Sequence, residues 1–468
     1  MSNQNLNLDN VSSQIPSRGN QEEDVVVIGA GIAGLTAAII LARAGRSVIV
    51  FEQSSKVGGR ARTDNIDGFY FNQGPHALYV SGAGAKVLRE LGITYRGNPP
   101  PSPQYLIKHD VKYQQAASFS SILTTKLLKG LGSKIELIRF FSSLSKVNFR
   151  EIQDITVEEW LKKKIHHRDV FELLITLCRV VTYANDPEIQ SAGATLSQLQ
   201  IAISGAGVIY LDGGWQTLVN GLISEALKAN VRINTGKRVS SVKQDVIDTS
   251  TSTTTTMPLW RIHVSDGSSI LTSTLVLAGS PADVQGLFRD SKPDFLSHIV
   301  DERRRRTNPV RAACLDMALS TLPNPSVPFA LGIDSPLFLS VHSVSAKLAP
   351  KGGALIHVMK YLGSSHEPNP KNDRLELEAF LDLIQSGWRD VVVRLRFLPS
   401  MVVYNAIVTA EQGGTLGRPE AKVPETENLY IVGDWIGSEG LLADASFASA
   451  KCAAQQILKS DQRLISYA

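Results

Sequence analysis

Cysteine is scarce in this chain: there are three in 468 residues, Cys178, Cys314 and Cys452, and no two form a C-x-x-C pair. That excludes a disulfide framework and a cysteine-built zinc site, and it suits a reducing compartment. No metal is expected. An excess of one charge is missing too. The 48 basic and 44 acidic residues leave a net +4, too little to imply a nucleic-acid partner. Residues 1–22 are polar, rich in Asn, Ser and Gln, and lack the apolar core of a secretory signal. They read as a disordered leader before a cytoplasmic protein. Long apolar runs are almost absent. The exception, Val25 to Ala42, is long enough to suggest a membrane span. Its clustered glycines, Thr36 and the stop at Arg43-Ala44-Gly45-Arg46 argue for a buried strand and helix joined by a turn. Finally, no Ser-His-Asp set, metal cluster or paired-carboxylate signature demands a hydrolytic or metal-assisted mechanism.

What is present is ordinary in bulk and specific in detail. Apolar residues make up 43% and charged residues 20%, as in soluble globular proteins. A chain of 468 residues holds two or three domains with substantial cores. The organising stretch is Asp24 to Arg62. A buried strand leads into Gly29, Gly31 and Gly34, which have G-x-G-x-x-G spacing, then into a helix and a second strand ending at Glu52. In such a unit Gly29 permits the tight turn and Gly31 lets backbone approach a pyrophosphate. Gly34 lets helix pack closely on strand. The helix N-terminus receives the phosphates, and an acid eighteen residues after Gly34 accepts the ribose hydroxyls. The match has its strand, its helix and its acid, so it is a strong dinucleotide signature.

Further along, Gly58-Gly59-Arg60 lets a loop pass close to a ligand and adds a forked donor. Gly74-Pro75-His76 follows a short strand. His76 is read first as a loop-stabilising hydrogen bond and second as a substrate contact. Pro99 to Pro103 is a stiff connector. Phe119 to Val147 is basic and amphipathic, which suits a solvated face over a core or an anionic membrane surface. A helix is expected over Gln216–Ala229. The Ser/Thr tract from Asp248 to Thr256 reads as a hairpin tip, and Arg303 to Arg306 as a solvated helix face. Strand-like alternation runs from Ala354 to Tyr361. It makes His357 and Lys360 candidates for polar groups lining a cavity. Cys452 falls well inside a closing helix and is read as core.

Taken together, Gly29 to Gly34, Glu52, Gly58-Gly59-Arg60, Gly74-Pro75-His76, Gly213-Gly214-Trp215, Leu277 to Pro281 and Val432-Gly433-Asp434 resemble the flavin-dependent amine oxidoreductases. That superfamily includes amine oxidases, protoporphyrinogen oxidases and phytoene-type desaturases. The resemblance covers Asp24 to about Leu458. It implies an α/β fold: a Rossmann-like, glutathione reductase-like FAD-binding domain interleaved with an α+β substrate-binding domain. Residues 23–98, 211–300 and 425–460 then form the FAD domain. Residues 99–210 and 301–424 form the substrate domain, and 461–468 are a tail.

The implied cofactor is FAD, because Gly58-Gly59-Arg60 and Gly433-Asp434 are contacts that a longer, flavin-bearing ligand requires. The implied cofactor-binding residues are Gly29, Gly31, Ile32, Ala33, Gly34, Glu52, Gln53, Gly58, Gly59, Arg60, Gly74, Pro75, His76, Val239, Gly433, Asp434, Leu442 and Ala443. In this family a lysine near the flavin often orients a water, which makes Lys360 a candidate catalytic residue beside His357 and His76. Amine oxidases often carry a tyrosine shortly after the C-terminal glycine block. Here the block runs Gly440-Leu441-Leu442-Ala443, closer to the phytoene desaturase-related branch. The resemblance therefore implies dehydrogenation of a hydrophobic small molecule, with oxygen or another acceptor reoxidising the flavin and peripheral membrane contact open. Flavin amine oxidase or protoporphyrinogen oxidase-like chemistry is the alternative. Rab escort and GDP-dissociation-inhibitor proteins share the fold without using flavin, but the intact glycine motif and Gly433-Asp434 speak against that class.

Overall fold

The computed structural model describes residues 22–114, 125–204, 207–245, 259–289 and 308–467. The Ser/Thr tract 248–256, the arginine run 303–306, most of the leader and part of the basic stretch 119–147 lie outside these residues.

The uncharged run Val25 to Ala42 folds into a strand, Glu22–Ile28, and a helix, Ile32–Arg43. Among the described residues, no helix is long and apolar enough to cross a membrane. The strand sits at the centre of a seven-stranded sheet. On one side it pairs in parallel with Val48–Phe51, which in turn carries Arg232–Asn234. On the other side it pairs in parallel along Ser269–Leu277. That strand has two partners on its far edge. Its N-terminal half pairs antiparallel with Leu259–Val264, and Leu275 to Leu277 pair in parallel with Leu429–Ile431. Segments from both ends of the chain thus meet in one sheet. Near-continuous burial of Val25, Val26, Val27, Val48, Val50, Leu275 and Val276 is what a sheet covered on both faces requires.

Gly34 fixes how closely the first helix packs. A Cβ there would come within 2.0 Å of the Gly29 carbonyl oxygen and 3.1 Å of the Ala278 side chain. Gly29 itself has φ +107° and no room before the Ala278 carbonyl. The two glycines are therefore a steric requirement of the turn.

The second sheet also has seven strands, in the order Val392–Tyr404, Val310–Leu319, Ala354–Leu362, Leu337–Val341, Phe329–Gly332, Gln104–Lys108 and Val111–Gln114. All its pairs are antiparallel except Phe329–Gly332 with Gln104–Lys108. One face is covered by helix Pro370–Ile384 through Leu377, Phe380, Leu381 and Ile384. Helices Leu131–Leu144, Val157–Lys164, Arg168–Thr182 and Ala192–Ile203 share a second apolar core with the opposite face. The architecture is the α/β combination that the motifs imply. The closing helix, Leu442–Tyr467, corrects one expectation: Cys452 is exposed. Ser449, Ala450, Ala453, Ala454 and Ile457 form the buried stripe, and the helical period turns position 452 outward.

Gly34→Ala is expected to cost about 1–3 kcal/mol as an overpacking substitution, read from urea midpoints. A loss under about 0.5 kcal/mol, the range of an indifferent surface site, would contradict the close approach.

Candidate functional site

A cavity of about 750 Å³ lies where the C-terminal edge of the first sheet meets the second sheet. It opens directly over the N-terminus of helix Ile32–Arg43. That terminus has Gly31 as its cap, no side-chain cap and no acid in its first turn. Its amides and the positive end of its dipole are left for an anion. Nothing lies within 4 Å of a Cβ placed on Gly31, so this backbone faces open cavity. Gly58 bridges to Gly31, and the Gly58 amide donates to the Ala30 carbonyl at 2.9 Å. The two glycine segments thus lie backbone to backbone along the cavity mouth, with Gly58 at φ +113° and Gly59 at +55°.

Glu52 accepts from the amides of Ala30 at 2.9 Å and Ser54 at 2.8 Å. Each carboxylate oxygen holds one amide and keeps acceptor capacity for hydroxyls on the cavity side. Asp434 is buried and receives three groups. Arg60 Nη2 lies at 2.8 Å, Asn405 Nδ2 at 2.8 Å and the Asn405 amide at 3.2 Å. Arg60 also donates to the Val403 carbonyl at 3.0 Å. A cradle of free helix amides, an acid at the strand end and a second, arginine-paired acid fits a dinucleotide carrying two phosphates and two sugar-like chains. Across the cavity the wall changes to Leu78, Tyr79, Tyr183, Met401, Val402, Val403 and Leu442. The hydroxyls of Tyr79 and Tyr183 donate to the carbonyls of Val181 (3.1 Å) and Pro75 (3.3 Å). The rings therefore present carbon to the space.

Of the residues singled out in the sequence, Gly29, Gly31, Ile32, Ala33, Glu52, Gln53, Gly58, Gly59, Arg60, Pro75, His76, Val239, Gly433, Asp434, Leu442 and Ala443 border the cavity. Gly34 and Gly74 stand behind the wall. Gly74, at φ +76°, is pressed against Met401, whose Cε would lie 2.6 Å from an added Cβ. His357 and Lys360 are corrections, because neither reaches the cavity. They lie three residues apart on one strand and therefore face opposite sides of the sheet. Lys360 points to helix Pro370–Ile384 and pairs with Asp373 at 2.9 Å and Glu376 at 2.8 Å. His357 is fully buried against Asp316, with Nδ1 to Oδ1 at 2.6 Å. Tyr79, Tyr183, Arg238, Asn405 and Met401 border the cavity without a sequence signal. Tyr183 ends an amphipathic helix, where it takes a left-handed φ of +60°.

Three histidines cluster here, His76 on the cavity wall and His342 and His357 behind it. His76 hydrogen-bonds through Nδ1 to the Gly74 carbonyl at 3.0 Å and meets Trp215 edge-on at 5.0 Å. His342 stacks on Tyr210 at 3.6 Å, and neither of its ring nitrogens has a partner. Burial, aided by the His357 ring, holds His76 down to about 4 and His342 well below its usual value. Burial also pushes the Asp444 carboxyl on the cavity wall up to about 6. Cys314, Asp316 and His357 each bring a ligand-type atom within 4.8 Å of the others. Here the Asp316 carboxylate is occupied by protein donors, the thiol at 3.0 Å and Arg396 Nη2 at 2.6 Å among them.

A family model described as flavin containing amine oxidoreductase matches residues 32–305. The 4,4'-diaponeurosporene oxygenase of Staphylococcus aureus is 24% identical over 256 residues, which is 47% of this chain and 50% of that protein. The chain spans about half the length of the curated relatives it matches. An oxidoreductase from Methanosarcina mazei superposes with a TM-score of 0.71 at 18% identity, over 94% of this chain and 100% of that one. Putrescine oxidase bound to putrescine superposes with a TM-score of 0.67 at 13% identity, over 94% and 100%. At these identities the two structures speak for the fold alone.

The buried imidazoles make stability depend on pH. In the folded state His76 and His342 stay neutral, whereas the unfolded chain protonates both below about pH 6.5. Their contribution is complete above that value and is lost as pH falls toward 4. Asp444 acts in the opposite sense between 3.8 and about 6, one carboxyl against two rings. His342→Phe keeps the stack on Tyr210 and removes two unpartnered nitrogens. It is expected to raise the urea midpoint at pH 6 and to flatten its fall between pH 7 and 5; an unchanged slope would refute a neutral His342.

Proposed function

Because the chain belongs to the flavin-containing amine oxidoreductases, with FAD as its cofactor, we propose that it dehydrogenates a hydrophobic small molecule. When bound, FAD supplies the hydride acceptor. The protein's part is binding, orientation and exclusion of water. The amides at Gly31 and Ile32 and the helix dipole would hold the phosphates. Glu52 would take ribose hydroxyls, and Asp434, aimed by Arg60 and Asn405, would accept from the second sugar-like chain. Leu442 and Ala443 open the closing helix at the cavity wall, where its N-terminal dipole favours negative charge.

The observation that carries the hydrophobic reading is the far arm of the cavity. Its aliphatic side chains are joined by two tyrosines whose hydroxyls are spent on main-chain carbonyls. Such a surface contacts apolar chain, and its tyrosine hydroxyls are not free to hold a charged nitrogen. The oxygenase of Staphylococcus aureus, named for a diaponeurosporene, supports the same substrate class. A flavin amine oxidase is the second reading, and the family name together with the rings of Tyr79, Tyr183 and Trp215 at the cavity supports it. Oxygen or another acceptor would reoxidise the flavin. The unpaired cysteines support a reducing, cytoplasmic setting. Peripheral membrane contact finds support in exposed Leu131 and Ile135 beside Lys129.

Anaerobic mixing of the FAD-loaded protein with polyenes, porphyrinogens, retinoids and amines tests the substrate class. Polyenes or retinoids are expected to bleach the flavin band, and bleaching by amines alone would overturn the reading. Sedimentation with phosphatidylglycerol vesicles tests the membrane contact. Binding is expected to weaken at least several-fold in Leu131→Glu/Ile135→Glu, and no vesicle binding by the wild type would refute it.

A further inference from the structure

A row of polar side chains crosses the inner face of the second sheet. Strand register places Ser340 opposite His357, His357 opposite Asp316, and Asp316 opposite Arg396, on four adjacent strands. Directly opposed residues share a face, so the four side chains are contiguous. Along the strands they are flanked by buried Cys314, Ala318, Leu355 and Met359. An ionised carboxylate survives in such a layer only when fully partnered. Asp316 is. Its Oδ1 accepts from His357 Nδ1 at 2.6 Å and Cys314 Sγ at 3.0 Å, and its Oδ2 from Arg396 Nε at 3.1 Å and Nη2 at 2.6 Å.

Arg396 does something the stability of the sheet does not require. The same Nη2 that holds Asp316 also donates to the main-chain carbonyl of Asn72. The Asn72 side-chain oxygen in turn accepts from the Trp215 amide at 3.0 Å and from Thr63 Oγ1 at 2.6 Å. Asn72 leads into the turn at Gly74, which ends at His76. His76 and Trp215 are both cavity residues and touch edge-on. One guanidinium therefore ties a buried charge to Asn72, whose segment carries His76 and whose side chain holds the Trp215 main chain.

We propose that Arg396 and Asp316 are positioning residues, an ion pair that acts through Asn72 to hold His76 and Trp215 in place against the bound cofactor. The proposal rests on the reading of the cavity as the FAD site. The opposite end of the row supplies an internal control. Ser340 Oγ pairs with the Tyr210 hydroxyl at 3.1 Å, and neither residue borders the cavity. Breaking that end weakens the sheet without touching the wall.

The test uses full-length protein reconstituted with FAD. Arg396→Met is expected to weaken FAD binding at least tenfold by fluorescence titration and to change the visible circular dichroism of the bound flavin. Arg396→Lys restores a charge but cannot span Asp316 and Asn72 together, so it is expected to recover binding only in part. Ser340→Ala is expected to lower the melting temperature with FAD affinity and dichroism unchanged. Wild-type affinity and dichroism in Arg396→Met, with only a lower melting temperature, would overturn the proposal. Should Arg396→Met fail to fold, Asp316→Asn keeps the shape and one acceptor oxygen and is read in the same way. If wild-type protein takes up no FAD, it is the cofactor reading that has failed. The positioning role is then read on the free protein. The His76 ring signals in NMR spectra are expected to shift in Arg396→Met but not in Ser340→Ala, and the absence of that difference would refute it.

Discussion

The cavity depends on one buried carboxylate. Asp434 is 3% exposed and is held by Arg60, after the second strand of the first sheet, and by Asn405, just past the edge strand of the second sheet. A charge in that position is tolerated only while its partners stay, so the three segments are locked to one another. Arg60 follows the two glycines that press against Gly31. Asn405 follows the strand that brings Met401, Val402 and Val403 to the far wall. The terminal strand that delivers Asp434 pairs with Leu275 to Leu277 in the first sheet. Dinucleotide cradle and apolar arm therefore share a hinge of three hydrogen-bonding groups.

The two arms differ because different parts of the fold make them. Parallel strands end together, and their C-terminal ends offer helix amides and acids at one edge, which suits phosphates and hydroxyls. Among the described residues, the second sheet reaches the cavity at the end of its edge strand, through Met401, Val402 and Val403, and Leu78, Tyr79, Tyr183 and Leu442 complete the apolar wall. Within the second sheet Ser340, His357, Asp316 and Arg396 form a polar row in which His357 and Arg396 hold Asp316 and Ser340 leans on Tyr210.

Legibility followed the range of the forces involved. The glycine turn, its helix and Glu52 were readable because a tight turn, a cap and a strand end are set by residues a few positions apart. The FAD-type fold was readable because several such local signatures recur in one order. Side-chain direction on fully buried strands was not. Every residue of Ala354–Leu362 is buried, so alternation carried no sign of which face met the cavity. His357 and Lys360 therefore went to an ion pair behind the wall and to a helix outside. Cys452 was misread for a related reason: position within a helix says nothing of its phase. Tyr79, Tyr183 and Asn405 left no motif, because their places come from contacts with chain more than a hundred residues away or from a loop pinned by Asp434.

By itself the sequence determined the cofactor class and the need for glycine at positions 29 and 34, since backbone geometry tolerates nothing larger there. Only the tertiary structure decided which side chains wall the cavity, which histidines lie sealed behind it, and that Arg396 links Asp316 to Asn72. Those facts depend on register between distant strands and on which face of a buried strand is turned inward, and neither is encoded in any short stretch.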